Sequence, residues 1–202
     1  MKKISKLKIC CDLDNVLNTL TSTLIEIYNK DYNDNLILDN ITEYKIDKFV
    51  KQGVKVTDYF KSDELWMRVK PVYQAQEYLK ILNQDYDLRI VSASHLGDMP
   101  TKYRWIKVFY PFLSREQIWT VFDKQWIDCD ILIDDFQGNL IGGNYHKILL
   151  DYPFNRNIDD KKENIFRAYN WKDIFMEVKR YENELSNFNL SEKEINELFL
   201  RM

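Results

Sequence analysis

The chain has 202 residues, 45% of them hydrophobic, enough to bury one core with a modest insertion. Its net charge of −3 leaves no basic footprint for gripping long nucleic acid. Three cysteines, an odd number, argue against a disulfide framework.

Residues 1–8 are basic, and the apolar run that follows stops at Asp12, too short for a signal peptide or a membrane span. A cytoplasmic protein without membrane contact is the expectation. Residues 7–11 read as a short buried strand, with Cys10 and Cys11 on opposite sides as small apolar fillers. That strand runs through Asp12-Leu13-Asp14-Asn15 into a helical pattern from residue 17. A period of two puts Asp12 and Asp14 on one side of the chain, at the carboxyl edge where open α/β sheets bind ligands. Two close carboxylates repel unless a cation or a shared proton intervenes, and Mg2+ is the natural remedy. An Asp-x-Asp pair alone also fits an ordinary acidic loop.

Residues 17–32 are helix-like, and 17–71 is too long for a bare loop, so it reads as a helical cap over the site. Its aromatics, Tyr44, Phe49, Tyr59, Phe60 and Trp66, read mostly as the cap's own core. Trp66 stands just before the chain returns to the main domain. A helix is expected over 72–82, then a strand over 88–91 that ends at Ser92, with Ser94 as an additional hydroxyl. Another helix spans 101–109, and further strands are expected at 117–121, 131–133 and 147–150. Asp123-Lys124-Gln125 precedes the strand that ends in Asp134-Asp135. By themselves these are a turn serine, a surface lysine and a solvated turn capped by Asp135. The C-terminal region reads as a helix over 171–185 and a short one from Ser191, where Ser191 and Glu194 fit a capping box. His95 and His146 lack metal-ligand spacing and read as structural or surface residues. Strands alternating with helices imply a parallel sheet with covered faces.

The order of the pieces says more than any one of them. Asp-x-Asp, strand-Ser, Lys and strand-Asp-Asp together resemble the four motifs of the haloacid dehalogenase superfamily of phosphohydrolases, over most of the chain. The chain is most similar to the 5'(3')-deoxyribonucleotidases, the cytosolic and mitochondrial type C nucleotidase group. Asp12-Leu13-Asp14-Asn15-Val16-Leu17, Lys102-Tyr103-Arg104-Trp105, Asp123-Lys124 and Asp130-Ile131-Leu132-Ile133-Asp134-Asp135 carry the likeness. Asp151-Tyr152-Pro153-Phe154-Asn155-Arg156 resembles a segment of the bacterial and phage members. The resemblance implies an α/β fold: a Rossmann-like parallel sheet of order 5-4-1-2-3 flanked by helices, with Asp12 on the central strand. Residues 1–16 and 72–202 would form the core domain and 17–71 the helical cap.

The same resemblance implies the chemistry, a Mg2+-dependent phosphomonoesterase acting on nucleoside monophosphates. Asp12 would attack phosphorus to give an aspartyl-phosphate, and Asp14 would serve as general acid and base. Mg2+ would be held by Asp12, the Asp14 backbone carbonyl and Asp134, with Asp135 holding a water beside it. Ser92, Ser94, Lys102 and Lys124 would bind phosphoryl oxygens. The expected partner is a small nucleotide, with Trp66 as the first choice for stacking on its base and a homodimer as the one protein assembly to consider. Two positions depart from the family pattern. Asn15 replaces a common glycine, in a turn that Asn tolerates at positive φ. Leu20 stands where mammalian members present an aromatic to the base, so no pyrimidine or deoxy preference follows. Other readings are a phosphatase for sugar phosphates or nucleic-acid 3'-phosphate ends, a non-hydrolysing nucleotide binder, and a phosphoacceptor signalling module. The last places its acidic pair before the hydroxyl and lysine, unlike this chain.

Overall fold

The computed structural model describes residues 6–93 and 98–199, with side chains described as far as residue 186. Strand β1 (Lys8–Cys11) lies inside a six-stranded parallel sheet of order β3-β2-β1-β4-β5-β6. The others are β2 (Asp87–Ser92), β3 (Ile118–Thr120), β4 (Ile131–Asp134), β5 (His146–Leu150) and β6 (Ile165–Ala168). The five anticipated strands keep the anticipated neighbours, and the order is corrected by the addition of β6 beyond β5. Pattern reading passes over β6 because it is four residues long with Arg167 in the middle.

Seven helices accompany the sheet among the described residues: α1 (Leu20–Tyr32), α2 (Val56–Phe60), α3 (Asp63–Arg68), α4 (Ala75–Asp85), α5 (Met99–Phe109), α6 (Gln137–Leu140) and α7 (Trp171–Phe199). Helix α1 begins three residues later than its apolar pattern suggests. The Asn18 side-chain oxygen accepts from Asn15 N–H and Leu20 N–H, each at 3.1 Å, and holds a turn there instead. Helix α4 likewise starts late, because Gln74 just before it adopts φ of 62°. Helix α7 runs unbroken through Ser191, so no separate helix starts there. The stretch contains neither proline nor glycine to stop it. No helix among the described residues is long and apolar enough to cross a membrane.

The period of two divides the sheet into two apolar faces. Ile9, Cys11, Leu88, Ile90, Ile131 and Ile133 pack with Leu79 of α4, Ile106 of α5 and Ile174 of α7. Cys10, Val91, Leu132 and Leu149 face the other way, under Leu140 of α6 and Cys129. Cys10 and Cys11 are therefore buried thiols on opposite faces, as expected. Leu17, Leu24, Ile27, Leu65 and Trp66, from the stretch between β1 and β2, join the first cluster, so that stretch is welded to the sheet by apolar contact. His146 stacks on Tyr181 with centroids 4.3 Å apart and meets Glu177 at 2.7 Å, far from the carboxyl edge of the sheet.

The turn after β1 is held by aromatic donors from three distant segments. Tyr152 donates to the carbonyl of Asn15 at 2.8 Å, Trp171 to that of Val16 at 2.9 Å, and Tyr110 to that of Leu17 at 2.8 Å. Buried carbonyls need such partners, because an unpaired one keeps its full desolvation cost. Tyr110→Phe keeps the packing and removes one of two donors on the Leu17 carbonyl, which also accepts from Val72 N–H at 3.0 Å. It is expected to lower stability in urea unfolding by about 0.5–1.5 kcal/mol. Tyr73→Phe, at an exposed tyrosine, should change it by less than about 0.5 kcal/mol.

Candidate active site

The register of the sheet brings the motif residues to one edge. Cys11 pairs with Ile90 and Ile133, and Asp12 N–H extends the ladder by donating to Ile133 at 2.8 Å. Asp12, Ser92 and Asp134 thus end three adjacent strands. Lys124 comes from a 3₁₀ turn, Lys124–Trp126, capped by Asp123, whose side chain accepts from Gln125 N–H at 3.0 Å. Its ammonium bonds both the Asp12 carboxylate and, at 2.7 Å, Asp134 Oδ2, with no exposed side-chain surface. Lys102 of α5 pairs with the Asp14 carboxylate and donates to Ser92 Oγ at 3.3 Å. Six of the anticipated residues therefore meet: Asp12, Asp14, Ser92, Lys102, Lys124 and Asp134. Ser94 lies outside the described residues.

Asp135 belongs to the same cluster. Carboxylate oxygens of Asp12, Asp134 and Asp135 all lie within 4.8 Å of one another, and all three residues are buried. Burial, with Asp134 and Asp14 nearby, pushes the Asp12 carboxyl up to about 7 against the pull of Lys124. Burial and the charges of Asp12 and Asp134 raise Asp135 well above the usual carboxylate range. Burial opposes the charge on Lys124, but Asp12 and Asp134 hold its ammonium above the ordinary lysine range. Four carboxylates, counting Asp14, face two ammonium groups, a deficit that one divalent cation balances. Closely set hard oxygen donors suit such an ion.

Sequence reasoning missed the amides that hold this cluster. Asn18 Nδ2 donates to Asp14 Oδ1 at 3.1 Å, and Asn15 Nδ2 to Asp135 Oδ2 at 2.8 Å. Asn139 donates to both oxygens of Asp134 at 3.1 Å, and Phe136 N–H reaches Asp134 Oδ1 at 2.9 Å. Asn155 donates to the Asp135 carbonyl at 2.8 Å. Short amides beside each acidic pair were the available signal. Which amide meets which carboxylate depends on contacts over as many as 120 residues.

A cleft of about 310 Å3 opens above the carboxylates, lined by Asp14, Asn15, Lys102, Tyr44, Phe60 and Phe154 among others. Trp66 is absent from this lining, which corrects its expected place against a substrate base. It is buried in the apolar core, its indole donates to the Phe60 carbonyl at 2.8 Å, and Lys102 Nζ lies 5.9 Å from its ring centroid. The exposed aromatic on the cleft is Tyr44. It stacks on Phe136 at 3.9 Å between centroids and meets Phe154 edge-on at 5.5 Å.

Residues 6–181 match the family described as 5' nucleotidase, deoxy (pyrimidine), cytosolic type C. The chain belongs to this family. A 5'(3')-deoxyribonucleotidase of Clostridium acetobutylicum is 35% identical over 163 residues, covering 79% of this chain and 88% of that protein. One from Bacillus subtilis is 30% identical over 178 residues, covering 86% and 97%. A haloacid dehalogenase-like hydrolase of Streptococcus pneumoniae shares the fold, with a TM-score of 0.59 and 14% identity over 89% of this chain and 99% of that one. As a type C nucleotidase the chain is a phosphomonoester hydrolase on the haloacid dehalogenase-like fold.

The displaced Asp12 carboxyl has a thermodynamic consequence in protein stripped of divalent metal. Between the ordinary value of 3.8 and about 7, the folded nucleotidase holds more protons at Asp12 than the unfolded chain does. Its stability on this account falls as pH rises through that window. Asp12→Asn is therefore expected to melt above the unmodified protein at pH 8 in chelator, with the gap closing as pH falls towards 4. A gap that is constant with pH, read by calorimetry, would show that Asp12 carries no such burden.

Proposed function

We propose that this chain is a Mg2+-dependent phosphomonoesterase that removes phosphate from nucleoside monophosphates through an aspartyl-phosphate on Asp12. The observation that carries the reading is the convergence of Asp12, Asp14, Ser92, Lys102, Lys124 and Asp134 at one sheet edge, beneath an aromatic-walled cleft. A 35% identical relative bearing the name 5'(3')-deoxyribonucleotidase supports the substrate class.

An Asp12 oxygen attacks phosphorus, the bond from phosphorus to the sugar oxygen breaks, and Asp14 delivers its proton to that oxygen. Asp14 then takes a proton from water, whose oxygen attacks the aspartyl-phosphate, freeing inorganic phosphate and restoring Asp12. Lys102, Lys124 and the Ser92 hydroxyl bind the non-bridging oxygens and offset charge that would otherwise repel Asp12. Asp12, Asp134 and the Asp14 backbone carbonyl, with Asp135 beside them, would hold Mg2+, which would supply further positive charge at the phosphoryl oxygens. Residues 17–71 serve as the cap. In support, the cleft takes walls from that stretch at Tyr44 and Phe60 and from the rest of the chain at Lys102 and Phe154. At about 310 Å3 the cleft is at the small end of ligand pockets, roughly 300–1,000 Å3, and suits a mononucleotide rather than a polymer end. The base lies against Tyr44 and Phe154, the role first sought for Trp66.

A phosphate-release screen with Mg2+ over nucleoside monophosphates, ribose 5-phosphate and an aryl phosphate tests this reading. Stacking contributes about 1–3 kcal/mol per base, so nucleotides should exceed ribose 5-phosphate about ten- to a hundredfold in kcat/KM. Tyr44→Ala should remove most of that margin and spare the aryl phosphate, whereas Trp66→Ala should lower stability and all activities together. Equal kcat/KM for nucleotides and ribose 5-phosphate would leave a sugar-phosphate phosphatase instead.

Replacing the proposed acid separates the two chemical steps. Asp14→Asn should slow turnover of a nucleotide by about 10² to 10⁴. An aryl phosphate, whose leaving group departs without a proton, should still phosphorylate Asp12 and show a burst before hydrolysis stalls. Equal losses for both leaving groups, with no burst, would make Asp14 a structural residue.

A further inference from the structure

Asn15 follows Asp14 with φ of 61°, in the left-handed region that glycine occupies without steric cost. The backbone alone would favour glycine there, so the gain from this side chain must lie in what it touches. The residue is buried, and both ends of its amide are bonded. Nδ2 donates to Asp135 Oδ2 at 2.8 Å, and Oδ1 accepts from Thr21 N–H at 2.9 Å. Only the nitrogen can donate to a carboxylate and only the oxygen can accept from an N–H, so the amide has one workable orientation. Its backbone is fixed too, with N–H on Asn18 Oδ1 at 3.1 Å and the carbonyl accepting from Tyr152 at 2.8 Å. One neutral side chain thus bridges the carboxylate trio and the first turn of α1, where Thr21 lines the cleft.

We infer that Asn15 is a positioning residue that sets the affinity of the carboxylate site for its divalent cation, by holding Asp135 in place through Oδ2. The inference rests on the metal-dependent reading above and adds the residue that tunes it. Asn155 anchors the Asp135 backbone from the far side, at 2.8 Å. Among the described residues Asn15 is the one donor to the carboxylate itself, so removing that amide leaves its orientation to the repulsion of Asp12 and Asp134. Donors behind a ligating carboxylate act in this way because the geometry presented to the ion is prepared before it binds.

The test is calorimetric titration of Mg2+ into metal-free unmodified protein and Asn15→Gly, with melting curves of both. Glycine suits the backbone at this position and deletes only the amide. Loss of such a supporting donor typically weakens metal binding about ten- to a hundredfold, and that rise in Kd is expected for Asn15→Gly. The melting temperature of the metal-free variant should stay within about 4 °C of the unmodified protein. Mg2+ binding by Asn15→Gly within about twofold of the unmodified protein overturns the inference alone. Loss of the metal-free melting transition in the variant would make Asn15 a purely structural residue, and also overturns it. An unmodified protein that binds no Mg2+ overturns the inference together with the metal requirement proposed above.

Discussion

An ammonium group with no exposed side-chain surface sits between two buried carboxylates from adjacent strands. Lys124 bonds Asp12 at the end of β1 and Asp134 at the end of β4, and the rest of the site is arranged around that contact. Burying three charges costs several kcal/mol of solvation per ion, which attraction repays only when each remaining lone pair also finds a partner. For Asp134 the partners are present: Asn139 donates to both its oxygens and Phe136 N–H to Oδ1. Asp135 and Asp14 then leave the cluster with more negative than positive charge. A surplus of that kind is poor design for stability alone and suits a site that receives a cation.

The cost of the cluster explains how much of the molecule is devoted to holding its turn. Three aromatic donors, from the segment after β5, from α7 and from the loop after α5, converge on consecutive carbonyls of Asn15, Val16 and Leu17. Asn18 ties the same turn to Asp14. None of these groups touches phosphorus in the proposed reaction. Their effect is to fix two carboxylates to within the small tolerance that in-line attack demands. The isolated bridge between Asn18 and Pro71 also joins the two ends of the 17–71 stretch at the motif turn.

Much of the arrangement is legible in the residues themselves. An apolar run ending in a carboxylate must leave the sheet at its carboxyl edge, so Asp12, Ser92 and Asp134 could be assigned to that edge from alternation alone. Buried parallel strands read as near-continuous apolar runs, and 7–11, 88–91 and 131–133 do so, with Lys8 and Arg89 as the charged residues among them. Strand β6 offers only Ile165 and Phe166 before Arg167, which bonds Asp151, Asp160 and Asn155. The start of α1 was misplaced for a comparable reason. Its apolar spacing continues to residue 17, but the side chain of Asn18 competes with the helix for backbone N–H groups.

What the chain by itself determined was the order of chemical groups and the elements that carry them: acid pair, hydroxyl and acid pair, each at a strand exit, with the lysine in the turn ahead of the last strand. What only the tertiary structure decided was which of several equivalent side chains faces the site. Trp66 and Tyr44 both come from the 17–71 stretch, yet Trp66 joins the buried core with Val56 and Leu65 while Tyr44 leans on Phe136 and Phe154. Asn15 and Asn155 lie 140 residues apart, and both bind Asp135. Local patterns record whether a residue is buried and which face of its element it occupies. The partner across the fold is fixed by close packing of segments distant in sequence, and no local period encodes that.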